Sequence, residues 1–382
     1  MRLAQHGRLV QRRRSLNMMN VIRLAVIVAL ALTGATVTAP VAQASRVHQL
    51  TETPLFSVGL ARCTFVDHSR AVLNYSKTPF KVLSTSRTLV TEIRYPTPLV
   101  ASGPIEVAGA PPAVQSGGYP MVVFAHGYDV TPDTYAPLLD AWVQAGFVVV
   151  APFFPDEEPS AVAAQPGTDT EDDLANEPAD LTFVTNEILQ ASANNTSNCH
   201  IVSGLVEPTE IALAGHSDGA TAVAMLAFDH GVDPQGVNYA DLRAGIDYRS
   251  VIVLSGAEDK SQSYADEASH PSLLIIHSLV DRCNPIRNDV KLYDDIHQTN
   301  KWFLALRTAH HLPPFDGNDP PAFEVVAAIT VRFLQMSLQA ATPSSSLLAY
   351  GNQFPSVARM YSGALGAPVL NAPTLREICG PN

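Results

Sequence analysis

One short stretch, residues 210–225 with the sequence EIALAGHSDGATAVAM, constrains the fold more than any other part of the chain. An apolar run at 211–214 leads into Gly215-His216-Ser217-Asp218-Gly219, and small helix-forming residues follow. A serine with a glycine two residues to either side is typical of a tight strand-to-helix turn, where larger side chains would collide with neighbouring backbone. Such a turn raises the serine hydroxyl above the sheet and aims the helix N-terminus at what the serine attacks. The pattern predicts a nucleophilic Ser217; the alternative is a glycine-rich turn whose serine only caps the helix.

The rest of the chain alternates between strand and helix patterns. Strands are predicted at 89–95, 121–125, 147–151, 210–215, 251–255, 272–277 and 302–306. Helices are predicted at 131–146, 179–191 and 322–338, with apolar residues at helical spacing. Continuous apolar strands that alternate with helices predict an α/β fold, a mostly parallel central sheet with helices on both faces. Active sites and ligand-binding sites in such sheets lie at the carboxyl ends of the strands.

The first 44 residues have the pattern of an export signal that is removed. Arginines precede an apolar run at 24–32, and Ala42-Gln43-Ala44 fits a cleavage site. The run is short for a bilayer span, so no stable membrane anchor is expected. Arg13-Arg14 leaves twin-arginine export open beside the general secretory route.

The net charge narrows the possible binding partners. Removal of residues 1–44 takes away six arginines and no acidic residue, which changes the formal net charge from −12 to −18. Such an acidic protein repels nucleic acid.

Four widely spaced cysteines remain after removal of the signal, with no zinc-site spacing, and export favours their pairing in two disulfides. Three connectivities are possible; the pairing Cys63–Cys199 with Cys283–Cys379 is our hypothesis.

The expected organisation is one catalytic domain with extensions at both ends. Residues 45–84 are interpreted as an extended N-terminal arm, 85–340 as the catalytic domain, and 341–382 as a C-terminal tail packed on it. Residues 152–178 hold eight acidic residues without a calcium-loop spacing, so we expect a solvated loop or lid rather than a metal site. No metal or other cofactor is expected, and the sequence leaves the oligomeric state open.

A serine nucleophile needs a base and an orienting carboxylate. Asp281 follows a predicted strand and is the preferred acid, with Glu258 and Asp259 as alternatives. His310 and His311 follow the last predicted strand, and either is a candidate base. The order serine, acid, histidine along the chain is that of α/β-hydrolases. His216 is interpreted as a packing residue and His277 as support for the acid loop.

An attacked carbonyl also needs donors for its developing negative charge. The backbone N–H groups of Asp218 and Tyr128 are predicted to form this oxyanion hole, with the Asp218 carboxylate turned away. Four residues near strand ends are predicted to line the substrate pocket: Tyr128, Phe153, Phe154 and His310.

Three segments resemble secreted bacterial α/β-hydrolases. RTLVTEIRYPT at 87–97, PMVVFAHGYDVTPDTYAPLLDAWVQAGFVVVAPFFP at 120–155 and GHSDGA at 215–220 are similar to dienelactone-hydrolase-like and platelet-activating-factor-acetylhydrolase-like esterases, with cutinase-like polyester hydrolases near by. The resemblance implies the nucleophile, acid and base roles on Ser217, Asp281 and His311, the second of the two adjacent histidines. It also implies oxyanion donors at Tyr128 and Asp218.

Two departures from these families limit the implied activity. Dienelactone hydrolases use a cysteine where this chain has Ser217, and cutinase-like enzymes usually carry methionine where it has Asp218. The expected function is an exported, cofactor-independent serine ester hydrolase that acts on small-molecule or lipid-like esters. Alternatives are an acyltransferase on the same triad and a non-catalytic cell-surface binding protein.

Overall fold

The computed structural model describes residues 55–74, 79–100, 106–167, 170–194, 198–233, 236–256, 271–342 and 344–363. The predicted export signal, the alternative acids Glu258 and Asp259, and Cys379 lie outside these ranges, so the predictions that depend on them remain predictions.

The described residues contain these strands: β1 Ser57–Asp67, β2 Val72–Asn74, β3 Lys81–Ser84, β4 Arg87–Thr97, β5 Glu106–Ala108, β6 Tyr119–Ala125, β7 Val148–Pro152, β8 Val206–His216, β9 Tyr248–Leu254, β10 Ser272–Ser278, β11 Lys301–Leu306 and β12 Ala358–Ser362. The α-helices are α1 Ala136–Gln144, α2 Pro159–Ala164, α3 Glu177–Asn194, α4 Asp218–Phe228, α5 Tyr239–Arg243, α6 Ile286–Asp295, α7 Pro313–Asp316, α8 Pro320–Gln339 and α9 Ser344–Gly351. Short 3₁₀ helices occupy Pro132–Tyr135, Glu171–Asn176 and His200–Val202.

Ten of the strands form one sheet, in the order β12-β11-β10-β9-β8-β6-β7-β4-β1-β5. The strands from β7 through β6, β8, β9 and β10 to β11 pair in parallel. Strand β4 joins this parallel core antiparallel to β7, and β12 joins it antiparallel to β11. The mostly parallel sheet confirms the predicted fold class, and each predicted strand and helix overlaps an observed one.

Helices cover both faces of the sheet because its central strands are apolar on both sides. In β6, Met121 and Val123 join the buried cluster that holds α3 and α4, whereas Val122 and Phe124 join the cluster on the opposite face with α1 and α8. This alternation of side chains is the period of a strand. A fully buried apolar strand therefore requires a helix layer on each face.

The sheet extends beyond the predicted catalytic domain at 85–340. The predicted arm contains β1, which pairs with β4 over its whole length, from Ser57 opposite Thr97 to Asp67 opposite Arg87. The predicted tail contains α9 and the edge strand β12. The sheet therefore includes strands from both predicted extensions, and the domain boundaries remain predictions.

The structure contains the hypothesised Cys63–Cys199 disulfide, which joins β1 to the segment after α3. It links residues 136 positions apart and so attaches the N-terminal strand to the body of the domain. A disulfide that closes so long a loop restricts the unfolded chain strongly.

Among the described helices, Pro320–Gln339 is long and apolar enough to cross a membrane. Most of its apolar window is buried, and Val326, Ile329 and Phe333 pack in the core with no exposed surface. Thr330 accepts a hydrogen bond from the indole N–H of Trp142 on α1 at 2.8 Å. These contacts are those of a core helix.

Candidate active site

Ser217 lies at the apex of the tight turn between β8 and α4. Its backbone has φ 56° and ψ −120°, a left-handed conformation that is costly for a residue with a side chain. The N–H of Ser217 donates to the carbonyl of Leu254 at 3.0 Å, which fixes the turn against β9. A Cβ on Gly215 would lie 2.2 Å from the Gly219 carbonyl oxygen, and one on Gly219 would lie 2.3 Å from that of Ala125. The turn thus has the geometry that the sequence pattern predicts, and only glycine fits at both flanking positions.

The predicted acid and base are in contact. Nδ1 of His311 lies 2.8 Å from Oδ2 of Asp281, whose side chain has no exposed surface. Oδ1 of Asp281 accepts the backbone N–H groups of Cys283 and Asn284 at 2.8 and 3.1 Å. Burial by itself would raise the pKa of Asp281, but His311 and these donors outweigh it and lower the pKa to about 2. A carboxylate that stays ionised can hold an imidazole in one tautomer and stabilise its protonated form.

Hydrogen bonds from neighbouring elements hold the His311 loop above the turn. The hydroxyl of Ser278, at the end of β10, donates to the carbonyl of Ala309 at 2.5 Å. Nε2 of His216 lies 3.2 Å from the carbonyl oxygen of His311, and the two imidazole rings lie 4.5 Å apart between centroids. Because His216 directly precedes Ser217, these contacts bring the loop at 307–312, the candidate base loop, next to Ser217.

The described residues show no hydrogen bond between the Ser217 hydroxyl and the His311 imidazole. Instead, Oγ of Ser217 lies 3.4 Å from Nδ2 of Asn284. The same Nδ2 donates to the carbonyl of Ser255 at 2.9 Å, which fixes the orientation of the amide. Catalytic hydrogen bonds are often long without substrate and tighten in the complex. Sequence reasoning missed Asn284, since a lone asparagine in a loop carries no pattern that marks it.

The loop after β6 comes close to Ser217, as its predicted oxyanion role requires. A Cβ on Gly127 would lie 3.0 Å from Cβ of Ser217. His126 is fully buried; its Nε2 accepts the N–H of Phe154 at 3.1 Å, so its Nδ1 carries the proton and donates to the Gly127 carbonyl at 2.8 Å. Burial lowers the pKa of His126 to about 4, which keeps this neutral tautomer at neutral pH.

A chain of buried hydrogen bonds connects the loop at 126–129, the candidate oxyanion loop, to the candidate base loop. The N–H of Gly127 donates to the Tyr135 hydroxyl at 3.2 Å, and that hydroxyl lies 2.7 Å from Nδ1 of His216. His216 therefore accepts at Nδ1 and donates at Nε2 to the His311 carbonyl. Burial and the neighbouring His311 lower the pKa of His216 well below its ordinary value. The predicted packing residue thus also aligns the two loops on either side of Ser217.

The four residues predicted to line the pocket have different environments. Tyr128 is half-buried, and its hydroxyl lies 3.0 Å from Oγ1 of Thr170. Phe153 is half-buried beneath the guanidinium of Arg62, 5.2 Å from the ring centroid. Phe154 has no exposed surface and packs on the His126 ring, which corrects its predicted pocket role: it is a core residue. His310 is exposed.

The acidic segment 152–178 contains buried carboxylates, which corrects the prediction of a wholly solvated loop. Asp156, Glu157, Asp173 and Glu177 are all at most 3% exposed. Asp173 binds the buried guanidinium of Arg87 at 2.6 Å. The Asp218 carboxylate is close enough to raise the pKa values of Glu157 and Glu177, after the larger effect of their burial. Within the described ranges, no group of three or more metal-ligating side chains is arranged to hold a metal ion.

Comparisons with known proteins bear on the fold and on the protein class. A sequence profile of the chlorophyllase family matches residues 85–248, which include Ser217 and the oxyanion loop but neither Asp281 nor His311. A ferulic acid esterase from Streptomyces cinnamoneus superposes with a TM-score of 0.57 at 18% identity, over 80% of this chain and 98% of that chain. The chain has the α/β-hydrolase fold. No curated protein matches its sequence significantly. In this α/β-hydrolase fold, the described turn, acid and histidine lie at the carboxyl ends of parallel strands, where such proteins hold their active sites.

Proposed function

We propose that the protein is a serine carboxylic-ester hydrolase that works through Ser217, His311 and Asp281. The observation that carries the proposal is the strained turn at Ser217, with a His311–Asp281 pair 2.8 Å apart on the adjacent loops. The similarity to the chlorophyllase family and to a ferulic acid esterase supports an esterase-type hydrolase.

In the proposed reaction, His311 takes the proton of the Ser217 hydroxyl as the oxygen attacks the ester carbonyl. Asp281 stabilises the imidazolium that forms, because its carboxylate stays ionised to low pH. The backbone N–H groups of Tyr128 and Asp218 are the proposed donors to the oxyanion, the second at the N-terminus of α4. The alcohol leaves with the proton from His311, and water then releases the acyl group from Ser217 by the reverse sequence of proton transfers.

The proposed substrate is an ester whose acyl group is apolar or aromatic. Tyr128 and Phe153 are half-buried aromatic residues on the loops that follow β6, the neighbour of β8, and β7, the next strand beyond β6. Aromatic side chains at this edge favour an apolar or aryl acyl group over a charged one. The ferulic acid esterase similarity makes hydroxycinnamate esters the first group to test.

We also propose that the protein is exported. The Cys63–Cys199 disulfide agrees with folding in an oxidising compartment, and the sequence of residues 1–44 supplies the expected signal. Oxidising conditions are therefore required when the protein is prepared for assay.

The test compares the wild-type protein with Ser217→Ala on a panel of p-nitrophenyl and hydroxycinnamate esters of graded size. The wild type is expected to turn over esters and to gain the mass of one fluorophosphonate adduct, on Ser217. Ser217→Ala is expected to lose activity by at least about 10³-fold and to remain unlabelled, because the nucleophile is absent. Ser337→Ala, the same change at a half-buried serine of α8, is the matched control.

Three outcomes would contradict the hydrolase proposal. Full activity in Ser217→Ala would identify a different nucleophile. An acyl-enzyme that transfers to an added alcohol but not to water would identify an acyltransferase. A folded wild type that is neither labelled nor active on any ester would favour a binding protein.

A further inference from the structure

A second histidine, in addition to His311, lies next to the proposed acid, and this one is fully buried. His277 is in β10, and its side chain has no exposed surface. Nε2 of His277 lies 3.4 Å from Oδ2 of Asp281, the same oxygen that contacts His311. The Asp281 carboxylate thus lies between two imidazoles, one of which the proposed reaction does not use.

Both ring nitrogens of His277 face oxygen acceptors. Nδ1 lies 2.6 Å from Oδ2 of Asp289 on α6, and Nε2 lies 2.9 Å from the carbonyl oxygen of Asn284. Oδ2 of Asp289 also accepts the N–H of Gly256 at 3.0 Å. Burial raises the pKa of Asp289, and its contacts with His277 and Gly256 offset part of that effect. A neutral imidazole has a single N–H and can satisfy acceptors on one side alone, whereas an imidazolium donates at both nitrogens.

The electrostatic surroundings agree with a protonated ring. Burial by itself lowers the pKa of His277, but the carboxylates of Asp289 and Asp281 outweigh it, and the net pKa is raised. The other titratable groups that face this site are the imidazoles of His216 and His311. Asp289, His277, Asp281 and His311 therefore alternate in charge when His311 is protonated.

We propose that His277 is a positioning residue for the proposed hydrolase: a buried imidazolium, held by Asp289, that fixes the Asp281 carboxylate and keeps His311 free to accept a proton. The inference rests on the proposed function for its catalytic part. The positive charge of His277 offsets part of the attraction between Asp281 and a protonated His311. The acid limb of the pH profile of kcat/KM is therefore expected to lie at lower pH than it would without the charge of His277.

The first test is the protonation state of His277 in the wild-type protein. Nitrogen-15 NMR of histidine-labelled protein at pH 7 is expected to show N–H protons on both ring nitrogens of His277, at a pH where exposed histidines in general are mostly neutral. A single protonated nitrogen on His277 would overturn the proposal. This readout needs no enzymatic activity, so it stands even if Ser217→Ala shows that the proposed nucleophile is wrong.

The second test is the pH profile of kcat/KM for His277→Gln, which removes the charge and keeps a polar side chain. Loss of the cation is expected to move the acid limb to higher pH by about one unit, because His311 then holds its proton more tightly. His68→Gln, at an exposed histidine in the loop after β1, is the control and should not move the limb. An acid limb that stays in place or moves to lower pH would overturn the proposal, since a purely structural role lowers kcat/KM at every pH without that shift.

Discussion

At the scale of single residues, the adjacent histidines His310 and His311 have opposite environments. His311 contacts the buried Asp281, and its carbonyl accepts a hydrogen bond from His216, whereas His310 is exposed. The fold of this loop therefore decides which of the two imidazoles can serve the candidate site.

This difference predicts opposite results for two matched substitutions. His311→Ala is expected to lower kcat by about 10²- to 10⁴-fold, the usual contribution of a general base, whereas His310→Ala should change kcat by less than about threefold. Steady-state kinetics on one p-nitrophenyl ester measures both variants. A large loss in His310→Ala with a near-normal His311→Ala would reverse the assignment of the base.

The residues that the sequence identified and those that it missed differ in one physical respect. Ser217 and the two glycines around it belong to a local motif, since the turn needs their small size in a fixed order. Asn284 reaches Ser217 across 67 positions of the chain. Its role depends on how two strand ends are placed, and residue type alone does not reveal that.

At the scale of elements, the approach of α4 to β6 depends on the absence of a side chain at Gly219. A Cβ there would lie 2.3 Å from the backbone oxygen of Ala125 and 2.4 Å from that of His126. Neither backbone oxygen can move without displacing the end of β6 and the oxyanion loop that follows it.

Gly219→Ala is therefore expected to lower the free energy of unfolding by about 1–3 kcal/mol, through overpacking. It should also lower esterase activity, because Ser217 and the oxyanion loop move apart. Gly231→Ala is the matched control, since its Cβ would meet a movable side-chain oxygen of Asp229 at 3.3 Å. Urea denaturation of both variants provides the measurement, and equal losses would contradict the proposed close approach.

The strands of the ten-stranded sheet that the sequence analysis did not identify lie towards its two ends. The central strands are continuous apolar runs, and their burial on both faces is evident from composition. Strand β1 alternates between buried and exposed residues, and it joins the sheet through pairing with β4. Because β1 lies between β4 and β5 in the sheet, its pairing depends on both of these segments, and its own sequence specifies it weakly.

At the scale of the whole molecule, this strongly acidic chain buries some of its carboxyl groups. Glu157 and Glu177 have no exposed surface, and Asp218 next to the nucleophile is 5% exposed. Burial, together with neighbouring carboxylates, raises the pKa values of both glutamates well above their ordinary range. The folded protein thus keeps protons at this site that the unfolded chain releases.

A group whose pKa is higher in the folded state loses its stabilising contribution as pH rises from the unfolded value towards the folded one. Glu157→Gln removes one such proton, so its stability relative to wild type is expected to increase with pH above about 4.5, by up to about 1.4 kcal/mol per pH unit. Urea denaturation at pH 5, 6, 7 and 8 gives the difference. Glu158→Gln, at the neighbouring half-buried residue, is the control and should show no such trend. A difference for Glu157→Gln that is constant with pH would contradict a buried, protonated glutamate.

The sequence by itself determined the α/β class, the central strands and the turn at Ser217, because these follow from local patterns of apolar residues and from the size of glycine. The tertiary structure alone decided that β1 and β12 extend the sheet, that Phe154 is a core residue, and that His277 and Asn284 contact the candidate triad. The physical reason is the distance along the chain over which each kind of interaction acts. Periodicity and turn chemistry act between neighbours in the chain, whereas strand pairing at an edge and the charges around a buried carboxylate depend on which distant segments the fold brings together.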